Sequence, residues 1–364
     1  MRSDAGEVNN RGSVTPPPPP ERPALPTATR LALEAAGRLG YRAEVLDPAF
    51  GYLYALTGPN GTRTFLGGRS PLNDAVAARL AEDKHYSGLL LRRAGLRTPP
   101  TARCLSPSHP SLSRYRDRAG AGPALELAAR LGYPLVVKPN RLSHGRGVRL
   151  VTDDAGLLEA VESAWALDAI ALVQEHVPGR DLRVDLIDGS FLLGYERVPL
   201  ALRPDGAATV DVLLARADPR LEDPGARRRL LEDPTVRSRL ASWGWTGATV
   251  PATGEVRSFD TGLLNLNGPA TARVLTDLPA SWAAWGARVA AALGLRHLGI
   301  DLRVADPASD PETATVLEVN ASPLLSQVYL LGHREAAIRA QMRVLRAAME
   351  DGLNEASSPG GGRG

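Results

Sequence analysis

The sequence predicts a protein of the α+β class, in which helices and strands are mixed without the strict strand–helix–strand rhythm of a barrel. Three observations support this prediction. Several segments place apolar residues at helical spacing, short apolar runs typical of strands lie between them, and glycine or proline marks the turns. The chain has 364 residues, of which 43% are hydrophobic and 23% charged, so two or three structural units with an ordinary core are expected.

Both ends of the chain are predicted to lie outside the fold. Residues 1–26 contain the run Pro16 to Pro20, and this composition is typical of a disordered, proline-rich arm that either docks a partner or is a passive tail. Residues 353–364 are rich in glycine and serine and are predicted to form a second disordered tail.

The first unit is predicted to span residues 27–100. Its elements are a helix over 28–39, strands over 41–46, 52–56 and 63–66, and helices over 72–82 and 84–95. The last helix ends here because Gly95 suits a helix C-terminus and Pro99-Pro100 prevents continuation.

The rest of the chain is predicted to form a second unit over 101–190 and a third over 191–352. The second contains helices over 122–132 and 154–166 and strands over 134–138, 148–151, 170–175 and 182–187. A strand over 191–198 follows the turn Asp188-Gly189. The third unit begins with this strand, and a polar stretch over 203–240 is predicted to be a long loop with one helix over 225–240. It continues with a strand over 255–259, a helix over 281–294, strands over 297–304 and 314–319, and a helix over 333–351.

Charge and residue types exclude several classes of protein. The formal net charge is +3, from 43 basic and 40 acidic residues, which argues against a nucleic-acid partner, and no zinc-finger or basic-zipper pattern is present. The single cysteine, Cys104, excludes an internal disulfide framework. No apolar run approaches the ~18 residues of a membrane span, and no apolar core follows the first charges. We therefore expect a cytoplasmic protein with no membrane partner and no secretory signal.

Lysine is rare, and the two positions that retain it are informative. Every basic residue other than Lys84 and Lys138 is an arginine. Either the two lysines survive by chance, or both sites need a compact ammonium that arginine's planar fork cannot replace. Contact with phosphate oxygens is one such need.

A glycine-bearing loop follows the second lysine. Lys138 ends a short apolar strand, and Gly145 and Gly147 lie in the loop after it. Backbone amides in such a loop, beside a lysine, suit a polyphosphate. A Gly-x-Gly sequence is as typical of an ordinary hairpin turn, so both interpretations stay open.

Two acidic residues and an asparagine lie on apolar strand segments. Glu318 and Asn320 share a strand face because they are two residues apart, and Asp301 joins them if the two strands pair. Three oxygen ligands on one sheet face suit Mg²⁺, with phosphates and water completing the octahedron. Two such carboxylates repel unless a cation or another partner lies between them. We therefore favour a metal site over a solvent-facing polar edge.

The segment from Gln174 to Arg183 joins two strands through a Pro-Gly turn. It offers backbone donors and acceptors, together with carboxylates, to a nucleotide base and a ribose. A surface hairpin with a salt bridge is the alternative.

These segments, in this order, resemble the motifs of ATP-grasp ligases. They are Asp83-Lys84 at the start of a helix, Leu131 to Pro139, the loop 143–148, Gln174 to Arg183, Gly299 to Leu302, and Leu317 to Pro323. The resemblance covers about residues 30–350 and is greatest to the ATP-grasp parts of cyanophycin synthetase and bifunctional glutathione synthetase. It implies a pre-ATP-grasp unit over 27–100 and two α+β subdomains, over 101–190 and 191–352, that clamp ATP.

The resemblance also implies a role for each candidate residue. For the nucleotide, it implies phosphate contacts by Lys84 and Lys138, a loop over ATP formed by His144, Gly145 and Gly147, adenine contacts by Gln174, Glu175 and Val177, and a ribose contact by Asp181. It implies that magnesium is bound by Asp301, Glu318 and Asn320. It also implies that Arg183 contacts the transferred phosphoryl group or the acyl phosphate.

The activity that the resemblance implies is an ADP-forming ligation of a carboxylate to an amine. It would use ATP with Mg²⁺, or Mn²⁺ in its place, act on amino acids or peptides, and be compatible with a homo-oligomer. An ATP-grasp kinase, an acid–thiol ligase and a non-catalytic ATP-binding subunit stay open as alternatives. Residues 203–207 and 265–269 depart from the family's patterns where the acceptor substrate is expected, so the resemblance does not give the substrates.

Overall fold

The computed structural model describes residues 25–143, 145–260, 262–264, 266, 268–275 and 278–350. Its helices are α1 (Thr27–Arg38), α2 (Ala75–Glu82), α3 (Lys84–Arg93), α4 (Gly122–Leu131), α5 (Asp154–Trp165), α6 (Val210–Ala217), α7 (Pro224–Glu232), α8 (Pro234–Ser242), α9 (Ala280–Leu293), α10 (Ser326–Leu330) and α11 (Arg334–Glu350). Three short 3₁₀ helices, Pro110–Arg118, Pro219–Glu222 and Pro311–Thr313, lie between these elements.

The strands form four antiparallel sheets among the described residues. They are β1 (Arg42–Val45), β2 (Leu53–Gly58), β3 (Gly61–Leu66), β4 (Thr101–Leu105), β5 (Leu135–Pro139), β6 (Arg149–Val151), β7 (Ile170–Glu175), β8 (Arg180–Ile187), β9 (Ser190–Pro199), β10 (Ala201–Leu202), β11 (Arg257–Ser258), β12 (Ala270–Leu275), β13 (His297–Val304) and β14 (Thr315–Asn320). The α+β prediction is confirmed. None of the helices described here has the length and apolarity to cross a lipid bilayer.

The first sheet, β1-β2-β3, shares a core with both ends of the described chain. Tyr54 and Phe65 stack with ring centroids 5.4 Å apart, and Leu31 of α1 and Leu345 of α11 are buried in the same cluster. Helices α2 and α3 pack elsewhere, since Leu91 belongs to the core of the large sheet. The predicted 27–100 unit is therefore divided: α1 and β1–β3 share one core, and α2 and α3 pack on the large sheet.

The second sheet has the order β4-β7-β5-β6 and is covered by α4 and α5. Leu135 and Val137 of β5 point into the same core as Leu157 of α5 and Val173 of β7. This packing holds the end of β5, and with it Lys138, in a fixed place.

The largest sheet has the order β12-β9-β8-β13-β14. Leu182, Val184 and Leu186 of β8 pack on Trp282 of α9, so the residues between them, at 181, 183 and 185, face the other side of the sheet. The predicted subdomain boundary at residue 190 would separate β8 from β9, which are paired neighbours. Asp188-Gly189 is a hairpin turn within the largest sheet. The chain passes from the second sheet to the largest sheet between Glu175, which ends β7, and Arg180, which begins β8.

The polar stretch after β10 forms three helices, so the prediction of a long loop with one helix over 225–240 is wrong. Asp233 ends α7 and caps the N-terminus of α8, and Pro234 begins α8 without a backbone N–H to lose. Thr209 and Asp223 cap α6 and α7 in the same way. These helices bury their own small core around Phe259.

Candidate active site

A cavity of about 1170 Å³ is lined by residues from the first sheet, the second sheet and the polar face of the large sheet. Among the described lining residues are nine basic and six acidic side chains. This surplus of positive charge favours an anionic ligand. The cavity is also larger than the space a single drug-sized ligand needs.

The two lysines of the chain meet in this cavity. Lys84, at the start of α3, donates to the carbonyl of Leu142 at 2.6 Å, and its Nζ lies 3.4 Å from Oε1 of Glu318. Lys138, at the end of β5, is 8% exposed and donates to the carbonyl of Leu317 at 3.4 Å. Lys84 and Lys138 are 54 positions apart in sequence, and both contact β14, the strand that carries Glu318.

Burial changes the titration of one lysine. Loss of solvent lowers the pKa of Lys138 from 10.5 to about 8, the charge of Glu318 opposes this fall, and the charge of Lys84 adds to it. Burial disfavours the charged form of Lys138, and a nearby anion favours it. An anion that enters the cavity would therefore stabilise the Lys138 ammonium. The site is therefore suited to phosphate oxygens.

Asp301 lies at the centre of a buried network. Its carboxylate accepts from Arg183 at 2.9 Å and from Arg197 at 2.5 Å, and the side-chain amide of Asn320 donates to it at 2.9 Å. Burial alone would raise the pKa of Asp301, but the two guanidinium charges outweigh it and lower the pKa to about 2. The carboxylate is therefore ionised at neutral pH.

Strand register explains why these groups converge. β13 lies between β8 and β14, so Asp301 is directly opposite Arg183 on one side and Glu318 on the other. Gly299 lies opposite Asn320, and a Cβ at Gly299 would stand only 2.0 Å from Nη2 of Arg183. The missing side chain at Gly299 is what allows Arg183 to lie across the strand and reach Asp301.

Asp181 forms ion pairs with two arginines that the sequence analysis did not identify as its partners. Arg197 donates to one of its oxygens at 2.6 Å, and Arg303 lies 3.1 Å from the other. Burial raises the pKa of Asp181, while the charges of Arg197 and Arg303 oppose the rise. A ribose hydroxyl at this position would have to share the carboxylate with two guanidinium groups.

The remaining predicted residues lie near the end of β7 or in the glycine loop. Gln174, Glu175 and Val177 line the cavity, and Nε2 of Gln174 donates to Oγ1 of Thr101 at 2.9 Å. Gly145 lines the cavity as well. Gly147 is not among the described lining residues: a Cβ there would stand 2.7 Å from Leu167 and 2.9 Å from Pro139. His144 lies outside the described residues.

The predicted metal ligands fit a hard divalent cation by their chemistry. Within the part of the chain that the structure describes, no three Asp, Glu, His or Cys side chains cluster as metal ligands. A cation here would have two carboxylates and one amide, from Asp301, Glu318 and Asn320, and would need further oxygens from a phosphate and water. That set matches what Mg²⁺ binds in nucleotide sites.

Sequence reasoning missed three side chains of the site. Tyr195, Arg197 and Arg303 all line the cavity. Each lies directly across from Arg183 or Asp181 on a neighbouring strand. The alternation of polar and apolar residues along β13 is a signal that could have suggested Arg303.

Gly299 provides a direct test of this geometry. We expect Gly299→Ala to displace Arg183 and to slow the ATP-dependent ligation that the family resemblance implies by about 100-fold or more, because errors of about 1 Å in positioning have effects of that size. Gly37→Ala is the control, since nothing lies within 4 Å of the new methyl group on α1. Equal turnover in the two variants, measured by product release, would show that Arg183 does not depend on Gly299.

Comparison with known proteins gives consistent matches. The family model described as D-ala D-ala ligase C-terminus matches residues 112–197. The glutathione biosynthesis bifunctional protein GshAB of Desulfotalea psychrophila is 23% identical over 310 residues, which are 82% of this chain and 38% of that protein. Cyanophycin synthetase of Nostoc sp. is 32% identical over 202 residues, or 53% of this chain and 22% of that protein.

A solved structure extends the match to most of the fold. The bifunctional glutathione synthetase from Pasteurella multocida superposes with a TM-score of 0.59 at 18% identity, covering 89% of this chain and 44% of that one. The chain thus spans less than half the length of these relatives, and the likeness is one of fold.

Proposed function

Since the chain has the ATP-grasp fold and is a relative of ATP-dependent carboxylate–amine ligases, we propose that it is itself an ADP-forming ligase that joins a carboxylate to an amine of an amino acid or peptide. The observation that carries this proposal is the convergence of Lys84, Lys138 and Glu318 in one large cavity. Two cations beside a carboxylate suit a triphosphate with its metal ion.

The proposed reaction has two steps. The substrate carboxylate oxygen attacks the γ-phosphorus of ATP, the bond to the β-phosphate oxygen breaks, and ADP leaves. The amine nitrogen then attacks the acyl carbon, a C–N bond forms, phosphate departs with the C–O bond electrons, and the nitrogen loses a proton. No protein nucleophile is needed, so positioning and charge stabilisation are what the side chains must supply.

The side chains divide this work. We assign Lys84 and Lys138 to the phosphates, and Gln174, Glu175 and Val177 to the adenine. Arg183 lies beside Asp301 at 2.9 Å, where it can stabilise charge on the transferred group. Asp181 is assigned to the ribose.

The metal assignment follows from the donor set. Asp301, Glu318 and Asn320 would hold Mg²⁺, or Mn²⁺ in its place, and a bound ion would neutralise charge that develops on the phosphates. The glycine loop from Ser143 to Val148 would cover the nucleotide and keep water from the acyl phosphate.

A cytoplasmic location is part of the proposal. It is supported by Cys104, which is a buried, free cysteine, since cytoplasmic proteins keep thiols reduced.

A screen for ADP release tests the proposed function. The full chain would be incubated with ATP, Mg²⁺ and pairs of amino acids or dipeptides, and ADP would be measured by a coupled assay. We expect release only when both a carboxylate and an amine substrate are present. Release without an amine would indicate a kinase, and release that needs a thiol in place of the amine would indicate an acid–thiol ligase. ATP binding without turnover on any pair would indicate a non-catalytic subunit.

A further inference from the structure

One part of the cavity wall comes from the first sheet and the segment after β14. Tyr52 precedes β2, Leu66 ends β3, and Leu324 lies between β14 and α10; all three line the cavity. We call these three side chains the apolar rim. Unlike the lysines and carboxylates of the same cavity, none of the three carries a charge.

The backbone holds the apolar rim together. The N–H of Gly67 donates to the carbonyl of Tyr52 at 2.7 Å. A Cβ at Gly68 would stand 2.5 Å from Cδ2 of Leu324, so the absence of a side chain at Gly68 lets Leu324 approach the hairpin. A defined turn therefore brings residues from distant parts of the chain to one place.

The apolar rim is open to the cavity. Tyr52 is 53% exposed, Leu66 is 54% exposed and Leu324 is 37% exposed. Apolar side chains that remain accessible on a cavity wall are typical of a ligand subsite. Contact with an apolar group would remove their surface from water.

The charged neighbour of the apolar rim already has a partner. Arg69 lies in the turn after Leu66, and its guanidinium is 3.2 Å from Glu82, which is also 2.7 Å from Arg79. A charged substrate group would have to compete with this pairing, whereas an apolar group would not.

We propose that the apolar rim binds the apolar side chain of an amino acid or peptide substrate. This inference rests on the ligase function proposed above and names its substrate class. A side chain such as that of leucine or phenylalanine would contact Tyr52, Leu66 and Leu324, while the reacting group points toward Arg183 and Asp301.

A binding experiment tests the proposal without requiring turnover. Thermal shifts of the full chain would be recorded with Mg²⁺ and a non-hydrolysable ATP analogue, in the presence of L-leucine, L-phenylalanine, L-asparagine or L-glutamate. Leucine and asparagine are similar in size and differ in polarity. We expect the two apolar amino acids to raise Tm at concentrations at least about tenfold lower than the polar ones, a ratio typical of apolar pockets.

Two pairs of variants identify where this preference arises. Leu66→Asp and Leu324→Asn should reduce the preference about tenfold or more, with the response to the ATP analogue unchanged. Leu46→Asp and Leu125→Asn are the matched controls, since these leucines are 43% and 38% exposed and are not among the described lining residues. Equal responses to all four amino acids, or identical behaviour of rim variants and controls, would overturn the proposal.

The same data separate this proposal from the ligase function. Apolar binding that depends on the apolar rim, without ADP release from any pair, would support the subsite and contradict the ligase activity. ADP release with charged and apolar substrates alike would support the ligase and contradict the subsite.

Discussion

Lys138→Met is expected to abolish ATP binding while it raises the Tm of the ligand-free protein at pH 7. Lys138 is nearly fully buried, and burial lowers its pKa from 10.5 to about 8. The folded protein therefore pays a free-energy penalty for keeping the ammonium charged at neutral pH. Methionine has a similar unbranched shape and carries no charge, so it removes this penalty together with the phosphate contact.

The sign of the effect follows from proton linkage. Because the folded-state pKa lies below the unfolded-state value, the penalty is fully present below pH 8 and declines as the pH rises from 8 toward 10.5. The penalty is about 3 kcal/mol, and loss of the hydrogen bond to the carbonyl of Leu317 reduces the gain. We expect a rise in Tm of a few degrees at pH 7 that shrinks by pH 10.

Lys84→Met is the matched control for this prediction. Lys84 donates to Leu142 at 2.6 Å and is paired with Glu318, so its replacement should lower Tm while it also weakens ATP binding. Calorimetric melting from pH 7 to pH 10 measures both variants. A lower Tm for Lys138→Met at pH 7 would contradict the burial penalty, and unchanged ATP affinity would contradict its assignment to the phosphates.

Asp301→Asn is expected to remove activity and to destabilise the fold. Arg183 and Arg197 both donate to this carboxylate, and both guanidinium groups are largely buried. Their loss of an anionic partner should reduce the free energy of unfolding by about 3 kcal/mol, or roughly 6–12 °C in Tm.

Glu318→Gln distinguishes a loss of metal binding from a loss of fold stability. Glu318 is partly exposed, and its ion pair among the described residues is with Lys84 at 3.4 Å, so its amide variant should keep the wild-type Tm within about 2 °C. Both variants should lose the Mn²⁺ signal that electron paramagnetic resonance detects with a non-hydrolysable ATP analogue. Retention of that signal in both would contradict the proposed metal ligands, and a stable Asp301→Asn protein would contradict the buried network.

Much of the fold and part of the site follow from local sequence. Lys84, Lys138, Asp301 and Glu318 could be proposed because rare lysines and carboxylates on apolar strands stand out against their neighbours. The strands that carry three of them, β5, β13 and β14, have clear apolar patterns and were predicted within about one residue at each end.

Arg197 shows why the rest could not be predicted. Counting back from the Asp188-Gly189 turn pairs Asp181 with Glu196, but a bulge between Asp185 and Leu186 shifts the register and places Arg197 opposite Asp181. A bulge depends on how both strands pack, and no local pattern encodes it. The edge strand β12 depends in the same way on a neighbouring element, since it pairs with β9.

The most direct test of the proposed site is the effect of Mg²⁺ on ATP affinity, measured by calorimetric titration of the wild type, Lys138→Met and Glu318→Gln. We predict that Mg²⁺ tightens ATP binding to the wild type at least about tenfold, that Glu318→Gln loses this gain, and that Lys138→Met binds ATP too weakly to measure. Three proteins with the same ATP affinity and the same response to Mg²⁺ would contradict a site in which the lysines and carboxylates surround one magnesium-bound triphosphate.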